Sequence, residues 1–420
     1  MKSIFAILVI FLSTTIVQAQ YGGGTGEPNN PYLIYTTEHL NAIGMEPNDW
    51  DKHFKLMVDI DLRDFKGTDF NLIGNNWPFP FCGVFDGNYH EISNFSYAST
   101  DEDCIGLFRY VYRVSGKQAE IKHLGLIDPS INAGTGDYVG SLIGWLDTGT
   151  ITGCYVEGGN VVGDEYVGGL VGAHGHRIPG YDPSVIPPYT ISYCYSSSKV
   201  KGTTYVGGLV GFNIDRITNC YSMGSVFGND IVGGLVGQDG DWGLDPTWAG
   251  KMINCYSTSH VVGQSNTGGL VGLNIRGMII NNCFWDIRTS GWTTSDGGTG
   301  KNTAEMQTAN TFLAAGWDFV DETENGTEDI WWIDEGNDYP RLWWQYGLAF
   351  SPDPQDGAVD IPQPLILTWL PGEPGLYHDV YFGEDKEAVA NATIENLNIY
   401  RGRHGEKRQK GGQEEHILEL

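Results

Sequence analysis

The sequence predicts an all-β protein whose main part is a parallel β-helix, a fold in which the chain winds through stacked coils. Three observations support this fold class. A seven-residue glycine phrase occurs five times, a cysteine followed by an aromatic residue alternates with it, and the spacing between the two phrases is nearly constant. Glycine-rich repeats of about 20 to 50 residues are typical of solenoids, whose coils stabilise one another by stacking.

The two phrases define the repeat and its period. The glycine phrase, which reads YVGGLVG in two copies, occupies residues 138–144, 166–172, 205–211, 231–237 and 266–272. The partner phrase has its cysteine at Cys154, Cys194, Cys220, Cys255 and Cys283. From each of the first four cysteines to the first glycine of the next phrase is 13 or 14 residues, whereas the return to the next cysteine takes 13 to 26. The arc from the cysteine to the glycine phrase is therefore nearly constant in length, and the arc from the glycine phrase to the next cysteine accepts insertions.

The coils are predicted to consist of strands. Their apolar runs are only about four to six residues long and are bounded by Gly, Asn, Asp, Ser and Thr. No run keeps the i, i+3, i+4 spacing that a helix requires over three turns. We expect three short strands per coil, with successive coils about 4.8 Å apart.

The five repeat cysteines occupy the same position in successive coils, so their side chains are expected to stack as a ladder. Parallel Cβ directions do not suit a disulfide. We therefore expect buried, reduced thiols that pack as small apolar groups. Disulfides are the alternative for a secreted chain. Cys82 and Cys104 are 22 residues apart, near one coil length, and the same expectation applies to them.

Residues 1–19 have the pattern of a secretory signal peptide. Lys2 is followed by an apolar run from Ile4 to Leu12, and small residues precede a cleavage site before Gln20. A membrane anchor is the alternative, but the run is too short to span a bilayer. We expect a secreted or cell-surface protein, without a transmembrane span after signal cleavage, that is a monomer. The net charge of −28 disfavours nucleic acid as a partner.

The chain divides into segments that differ in composition and pattern. Residues 20–346 are predicted to form the solenoid with its end caps. A short helix from about Thr36 to Gly44 is expected to cover the first coil, and the aromatic residues of 302–345 the last one. The Pro-rich segment 351–395 contains part of a fibronectin type III or immunoglobulin-like β-sandwich, which needs about 100 residues. Residues 396–420 are expected to be a disordered tail.

The VGGLVG phrases resemble the GLUG motif of bacterial secreted and surface proteins. The opening residues 24–44 and the closing residues 312–345 resemble the segments that flank GLUG arrays, so the resemblance covers residues 21–346. It implies an extracellular repeat protein. GLUG repeats also accompany immunoglobulin A protease-type metallopeptidases, which would imply zinc catalysis. That chemistry requires HExxH, whereas the nearest string begins His90-Glu91 and lacks the second histidine. We therefore expect a non-catalytic array and assign no catalytic residues.

Two insertions in the variable arc are the predicted ligand site. Residues 173–190 and 238–251 extend the same corner two coils apart, a separation of about 10 Å. They present four aromatic residues that would stack on sugar rings: Tyr181, Tyr189, Trp242 and Trp248. The alternative is that these rings only pack the loops onto the solenoid.

The second insertion also contains a candidate calcium site. Asp239, Asp241 and Asp245 are alternating carboxylates of the kind that surround calcium. Gly250 stands where a calcium loop places its bidentate glutamate. We expect no other cofactor.

Three functions remain open from the sequence. The first is an extracellular adhesion or carbohydrate-binding protein whose partner is a glycan or a cell surface. The second is a polysaccharide-degrading enzyme, because parallel β-helices often host that chemistry, although the repeats lack a fixed acidic pair. The third is a structural spacer that presents the C-terminal module.

Overall fold

The computed structural model describes the side chains and backbone of most of the solenoid. The described residues are 20–75, 79–114, 117, 119–175, 189–240, 251–277, 279–320 and 322–345, with the backbone alone at 350–353, 366–370, 378–381, 400–404, 408–410 and 413–419.

The predicted parallel β-helix is confirmed. Four regular coils lie within the described residues, and the strands of each coil pair in parallel with those of the next. Each regular coil has five short strands where the sequence analysis expected three. One division, between the first and second strands of each coil, falls at a residue with a positive φ, a conformation that interrupts a strand and that apolar periodicity does not reveal.

The chain begins with shorter and less regular coils. Their strands are β1 (Tyr32–Ile34), β2 (His53–Leu56), β3 (Ile60–Asp61), β4 (Val84–Ser93), β5 (Ser96–Ala98), β6 (Phe108–Val111), β7 (Glu120–Ile127), β8 (Ser130–Asn132) and β9 (Ile143–Leu146).

The regular coils follow in sets of five strands. They are β10 (Thr150–Thr152), β11 (Tyr155–Glu157), β12 (Asn160–Val162), β13 (Glu165–Gly168), β14 (Val171–His174); β15 (Thr190–Ser192), β16 (Tyr195–Ser196), β17 (Lys199–Lys201), β18 (Thr204–Gly207), β19 (Val210–Asn213); β20 (Arg216–Thr218), β21 (Tyr221–Ser222), β22 (Ser225–Phe227), β23 (Asp230–Gly233), β24 (Val236–Asp239); β25 (Lys251–Ile253), β26 (Tyr256–Ser257), β27 (His260–Val262), β28 (Ser265–Gly268) and β29 (Val271–Asn274).

Shorter elements complete the chain. The strands are β30 (Ile279–Asn281), β31 (Phe284–Asp286), β32 (Thr299–Lys301), β33 (Trp331–Trp332), β34 (Arg341–Leu342), β35 (Phe350–Asp353), β36 (Ile366–Leu370), β37 (His378–Tyr381), β38 (Tyr400–His404), β39 (Arg408–Lys410) and β40 (Gln413–Glu419). The α-helices are α1 (Thr37–Met45), α2 (Ile287–Ser290), α3 (Thr303–Met306) and α4 (Ala309–Leu313).

The register of the coils repeats the sequence phrases. Val167, Val206 and Val232 are paired across β13, β18 and β23, and the glycines that follow them are paired as well. The valines are fully buried in a core of Ile, Leu and Val that runs through the coils. The glycine phrase therefore places one small and one branched residue at the same point of every coil.

The N-terminal end is covered by α1, as the sequence predicted. The Thr36 hydroxyl caps the helix by accepting from the His39 backbone N–H at 3.2 Å. Leu40 and Ile43 have no exposed surface and join the core. The helix ends at Met45, one residue beyond the predicted Gly44, and its last turn holds the Trp50 indole, which donates to the Ile43 carbonyl at 2.6 Å.

The last coil is closed by residues 285–296 and not by the aromatic segment that follows. The Trp292 indole donates to the Val261 carbonyl at 3.0 Å, and the Trp285 indole donates to the Trp292 carbonyl at 3.0 Å. The hydroxyl of Ser295 accepts from the backbone N–H of Val271 at 2.9 Å, which satisfies an edge donor of the final strand.

Residues 302–345, which we call the lateral segment, pack along the side of the coils, so the expectation that they close the end is wrong. Their buried rings lie on a stack formed by Tyr195, Tyr221, Tyr256 and Phe284, one from each of four coils. The Trp317 indole donates to the Asn282 carbonyl at 2.9 Å. These outward-facing tyrosines follow the repeat cysteines, and the lateral segment removes them from water.

The cysteines form the predicted ladder. All seven are free and buried. The Cys154 backbone N–H lies 3.4 Å from the Cys194 sulfur, and the same contact joins Cys194 to Cys220 and Cys255 to Cys283. Burial raises the pKa of the Cys154, Cys220 and Cys283 thiols.

The strands after residue 349 pair antiparallel, β35 with β36, β36 with β40, β37 with β38, and β39 with β40. The signal peptide lies outside the described residues. Strands β38, β39 and β40 lie within residues 396–420, where the sequence analysis expected a disordered tail. The domain boundaries and the sandwich resemblance remain predictions.

Candidate functional site

Seven residues, which we call the corner column, occupy equivalent positions in successive coils, within β4 and β7 in the early coils and between the first two strands of the later ones. The backbone register places each beside the next. They are Tyr89, His123, Gly153, Tyr193, Asn219, Asn254 and Asn282. All have φ between 49° and 62°, a left-handed conformation that Asn and Gly adopt readily and bulky residues adopt at a cost.

Gly153 leaves a gap in this column. The other six residues carry a ring or an amide, and the rings of Tyr89 and His123 stack with centroids 4.4 Å apart at 14°. A Cβ atom placed on Gly153 would lie 3.1 Å from Cδ2 of His123. One face of the His123 ring is therefore covered by Tyr89, and its other face is directed toward a position without a side chain.

The gap opens into a pocket on the side of the solenoid. The pocket has a volume of about 120 Å³ and is lined by Tyr89, His123, Thr152, Gly153, Tyr155, Tyr193, Trp343 and Trp344. Trp343 and Trp344 belong to the lateral segment, and the Trp344 ring lies 5.3 Å from that of Tyr155. Six of the eight lining residues thus carry aromatic rings, and they come from positions as far apart as 89 and 344.

Polar groups surround the rings. His123 Nδ1 lies 3.5 Å from an Asp86 carboxylate oxygen, and the Tyr155 hydroxyl donates to Glu91 at 2.6 Å. Burial alone opposes ionisation of Asp86, but hydrogen bonds from His123 and the Asn88 backbone hold the pKa of this carboxyl below its ordinary value. Two carboxylates therefore stand beside an aromatic pocket.

Two other ring columns in the described coils consist of rings stacked face to face. Tyr155, Tyr195, Tyr221 and Tyr256 stack at 4.8 to 5.1 Å and are covered by the lateral segment. On another side, Tyr138, Tyr166 and Tyr205 stack at 4.6 Å, and the Trp145 indole covers the free face of Tyr138 at 4.9 Å. Rings stacked face to face leave only their edges for a ligand, so the gap at Gly153 is the more suitable site.

The predicted loop patch is described only at its roots. The two insertions leave from β14 and β24, which are separated by β19, as the two-coil spacing predicted. Tyr189 is 7% exposed and closes against the solenoid. Tyr181, Trp242 and Trp248 lie outside the described residues. The patch as a whole remains a prediction.

The candidate calcium ligand Asp239 lies in a buried polar row at the roots of these insertions. Its carboxylate accepts from the Asn213 amide at 2.6 Å, and Asn213 in turn contacts His174 Nδ1 at 2.7 Å. Burial raises the pKa of Asp239 to about 7, which favours a neutral acid over a calcium-bound carboxylate at lower pH. Asp241 and Asp245 lie outside the described residues. Within the described ranges, no three His, Cys, Asp or Glu side chains are grouped to hold a metal.

Sequence reasoning missed the lateral pocket, although one signal of it was present. The residue before each repeat cysteine is Gly153, Tyr193, Asn219, Asn254 or Asn282, and Gly153 alone among these five has no side chain. What the sequence did not reveal is that residues 343 and 344 return to this corner.

The fold and the pocket together define a β-solenoid with a lateral aromatic site. Residues 202–226 match the family model described as the GLUG motif. This match and the relatives below fit a GLUG-repeat protein. No helix within the described part of the chain is long and apolar enough to cross a membrane.

Two relatives match by sequence. Halomucin of Haloquadratum walsbyi is 34% identical over 155 residues, which cover 36% of this chain and 2% of that protein. A protein of Evansella cellulosilytica provisionally named a Gly-rich membrane protein is 34% identical over 140 residues, which cover 32% of this chain and 15% of that protein. The chain thus spans a small fraction of the length of both relatives.

A solved structure shares the fold. It is a Bacteroides ovatus protein provisionally named an immunoglobulin A1 protease, with a TM-score of 0.56, 22% identity and coverage of 77% of this chain and 96% of that chain. At this identity the likeness concerns the fold alone.

Proposed function

We propose that this chain is a non-catalytic extracellular repeat protein that binds carbohydrate in the lateral pocket. The observation that carries the proposal is the ring face of His123 directed into an aromatic pocket at Gly153. Sugar rings have apolar C–H faces that pack on aromatic rings, and their hydroxyls need a few convergent polar partners. Thr152 supplies such a partner in the pocket lining, and the carboxylates of Asp86 and Glu91 lie behind its rings.

The location at the cell surface is supported by the relatives. One is named a halomucin and another a Gly-rich membrane protein, and both names fit a protein that works outside the cell. A stack of coils is a rigid scaffold on which each repeat contacts its neighbours, so it holds a lateral site at a defined distance from its ends.

The non-catalytic part of the proposal is supported by the partners of the nearest acids. Glycosidases require one carboxyl free to give a proton and another to attack or activate water. Here Asp86 is engaged with His123, and Glu91 accepts from the Tyr155 hydroxyl. Hydrogen bonds hold the pKa of Asp86 below its ordinary value, which is the opposite of what a proton-donating acid requires.

The proposal is tested by screening the purified full chain against a panel of neutral polysaccharides while measuring both retention and new reducing ends. We expect retention without new ends, and loss of retention in Trp344→Ala. Tyr35→Ala is the matched control, because Tyr35 is a partly exposed ring near the N-terminal cap.

Each other outcome selects a different function. Retention lost only in Trp242→Ala or Trp248→Ala would move the site to the predicted loop patch. New reducing ends would establish a polysaccharide-degrading enzyme. A chain that no polysaccharide retains would favour the structural spacer.

A further inference from the structure

Resting on the proposed function, we infer that the gap at Gly153 takes a single neutral pyranose ring of gluco configuration, inserted between His123 and Tyr193. The ligand ring completes the corner column at the one position where the protein supplies no side chain. The inference names the sugar class and the mode of binding at the lateral pocket.

The size of the gap fits a puckered ring. His123 and Tyr193 lie two coils apart, a separation of about 9.6 Å for two strand spacings. A flat ring in contact on both faces needs about 7 to 8 Å, since carbon atoms pack at about 3.5 to 4.0 Å. A pyranose chair is thicker, because its axial hydrogens project from both faces. The gap therefore suits a chair better than a flat aromatic ring.

The volume of the pocket limits the ligand to one ring. At about 120 Å³ it is smaller than the roughly 300 to 1,000 Å³ that is usual for pockets enclosing drug-sized ligands. Within the pocket there is room for one sugar residue, and further residues of a glycan must extend away from it.

The charge of the surroundings selects a neutral sugar. None of the eight lining residues is Lys or Arg. The carboxylates of Asp86 and Glu91 lie immediately behind His123 and Tyr155. A uronate or another anionic sugar would meet repulsion there without a cation to offset it.

Contact with His123 on one side and Tyr193 on the other selects the configuration. A ring of gluco configuration has all its hydroxyls equatorial, so both its faces are apolar. An axial hydroxyl, as in galactose or mannose, would be pressed against a ring face without a hydrogen-bond partner, which disfavours binding. We expect at least about tenfold discrimination, equivalent to about 1.4 kcal/mol.

The test compares methyl β-glucopyranoside, methyl β-galactopyranoside and methyl α-mannopyranoside, with cellotetraose as a longer gluco probe, by calorimetric titration of the full chain. We expect the gluco probes to bind at least tenfold more tightly. Gly153→Asn should abolish this binding, because Asn fills the gap and suits the positive φ that other column residues show.

Asn254→Gly is the matched control. It makes the reverse exchange in the same column, three coils away from the gap, and should bind like the parent chain. Tyr193→Asn is a second variant that removes one wall of the gap while keeping a residue suited to the conformation. It should also lose the gluco preference, with a circular dichroism spectrum like that of the parent.

The outcomes separate this inference from the proposed function. If Gly153→Asn binds like the parent while Trp344→Ala loses retention, the pocket binds sugar but the gap is not the site. Equal binding of the glucoside and the galactoside overturns the gluco assignment alone. If the parent chain binds no glycan, the proposed function fails and the inference fails with it.

Discussion

The indole of Trp344 lies 5.3 Å from the ring of Tyr155 and 5.8 Å from that of Tyr195. These tyrosines belong to neighbouring coils, so one residue of the lateral segment bridges two repeats and forms a wall of the pocket. The lateral segment therefore has two roles. It shields outward-facing tyrosines from water, and it converts a groove on the solenoid into a pocket.

Trp331→Ala is expected to destabilise the chain by about 3 to 5 kcal/mol, the usual cost of deleting a buried tryptophan. Trp331 has no exposed surface and lies 4.6 Å from Trp317 and 6.1 Å from Tyr256. Denaturant unfolding gives the change in the free energy of unfolding, and limited proteolysis should cut the lateral segment first. Phe79→Ala is the control, because Phe79 is 59% exposed. Equal effects of the two substitutions would contradict the burial of the lateral segment.

Gly207→Ala is expected to destabilise the coils by roughly 1 to 3 kcal/mol or more. A Cβ atom at this position would lie 2.0 Å from the Val210 carbonyl oxygen, so the backbone itself must move. Gly297→Ala is the matched control, because its Cβ atom meets only the end of the Ile280 side chain. Thermal unfolding of the two variants checks the prediction, which is wrong if Gly207→Ala is the milder of the two.

The cysteines are expected to be reduced and unreactive in the native protein. All seven thiols are buried, so a reagent in water does not reach them, and burial also raises the pKa of the Cys154, Cys220 and Cys283 thiols, which keeps these three from forming the reactive thiolate. A thiol reagent should label none of them quickly in the native chain, and all seven after denaturation without reductant. Labelling of only five after denaturation would reveal a disulfide.

His174→Asn is expected to remove one component of the dependence of stability on pH. Burial lowers the pKa of His174 to about 4, with the hydrogen bond to Asn213 opposing this shift. Between pH 4 and 6.5 the unfolded chain then binds more protons than the folded chain, so this residue makes the free energy of unfolding rise with pH. The contribution is about 3 kcal/mol over the window, at about 1.4 kcal/mol for each unit of pKa shift.

Comparing the parent chain with the His174→Asn variant separates the contribution of His174 to the pH dependence from that of the neighbouring acids. Burial raises the pKa of Asp215 and Asp239 to about 7, so these acids act in the opposite direction between pH 4 and 7, and they are present in both chains. Asparagine at position 174 can still donate to the Asn213 carbonyl. From pH 4.5 to 7, the change in the free energy of unfolding should be less positive for the variant than for the parent chain, and equal changes would show that His174 is protonated when folded.

Much of the fold could be predicted because each coil repeats local rules. The paired phrases indicated stacked coils, the common position of Cys194 and Cys220 indicated a ladder, and Thr36 marked the start of the capping helix. The number of strands per coil could not be predicted in the same way. It depends on corners such as the one at Tyr193, between β15 and β16, whose positive φ is not a preference of tyrosine and is not marked by a local pattern.

The sequence by itself determined the solenoid, since a fixed period of small and branched residues is buried only when the coils stack. It also determined the buried cysteine ladder and the common corner of the two insertions. Only the tertiary structure decided where residues 302–345 lie and that Trp344 lines the same pocket as Gly153 and His123. The pocket joins residues far apart in the chain, and such contacts depend on the packing of the lateral segment on the tyrosine stack, which no local pattern specifies.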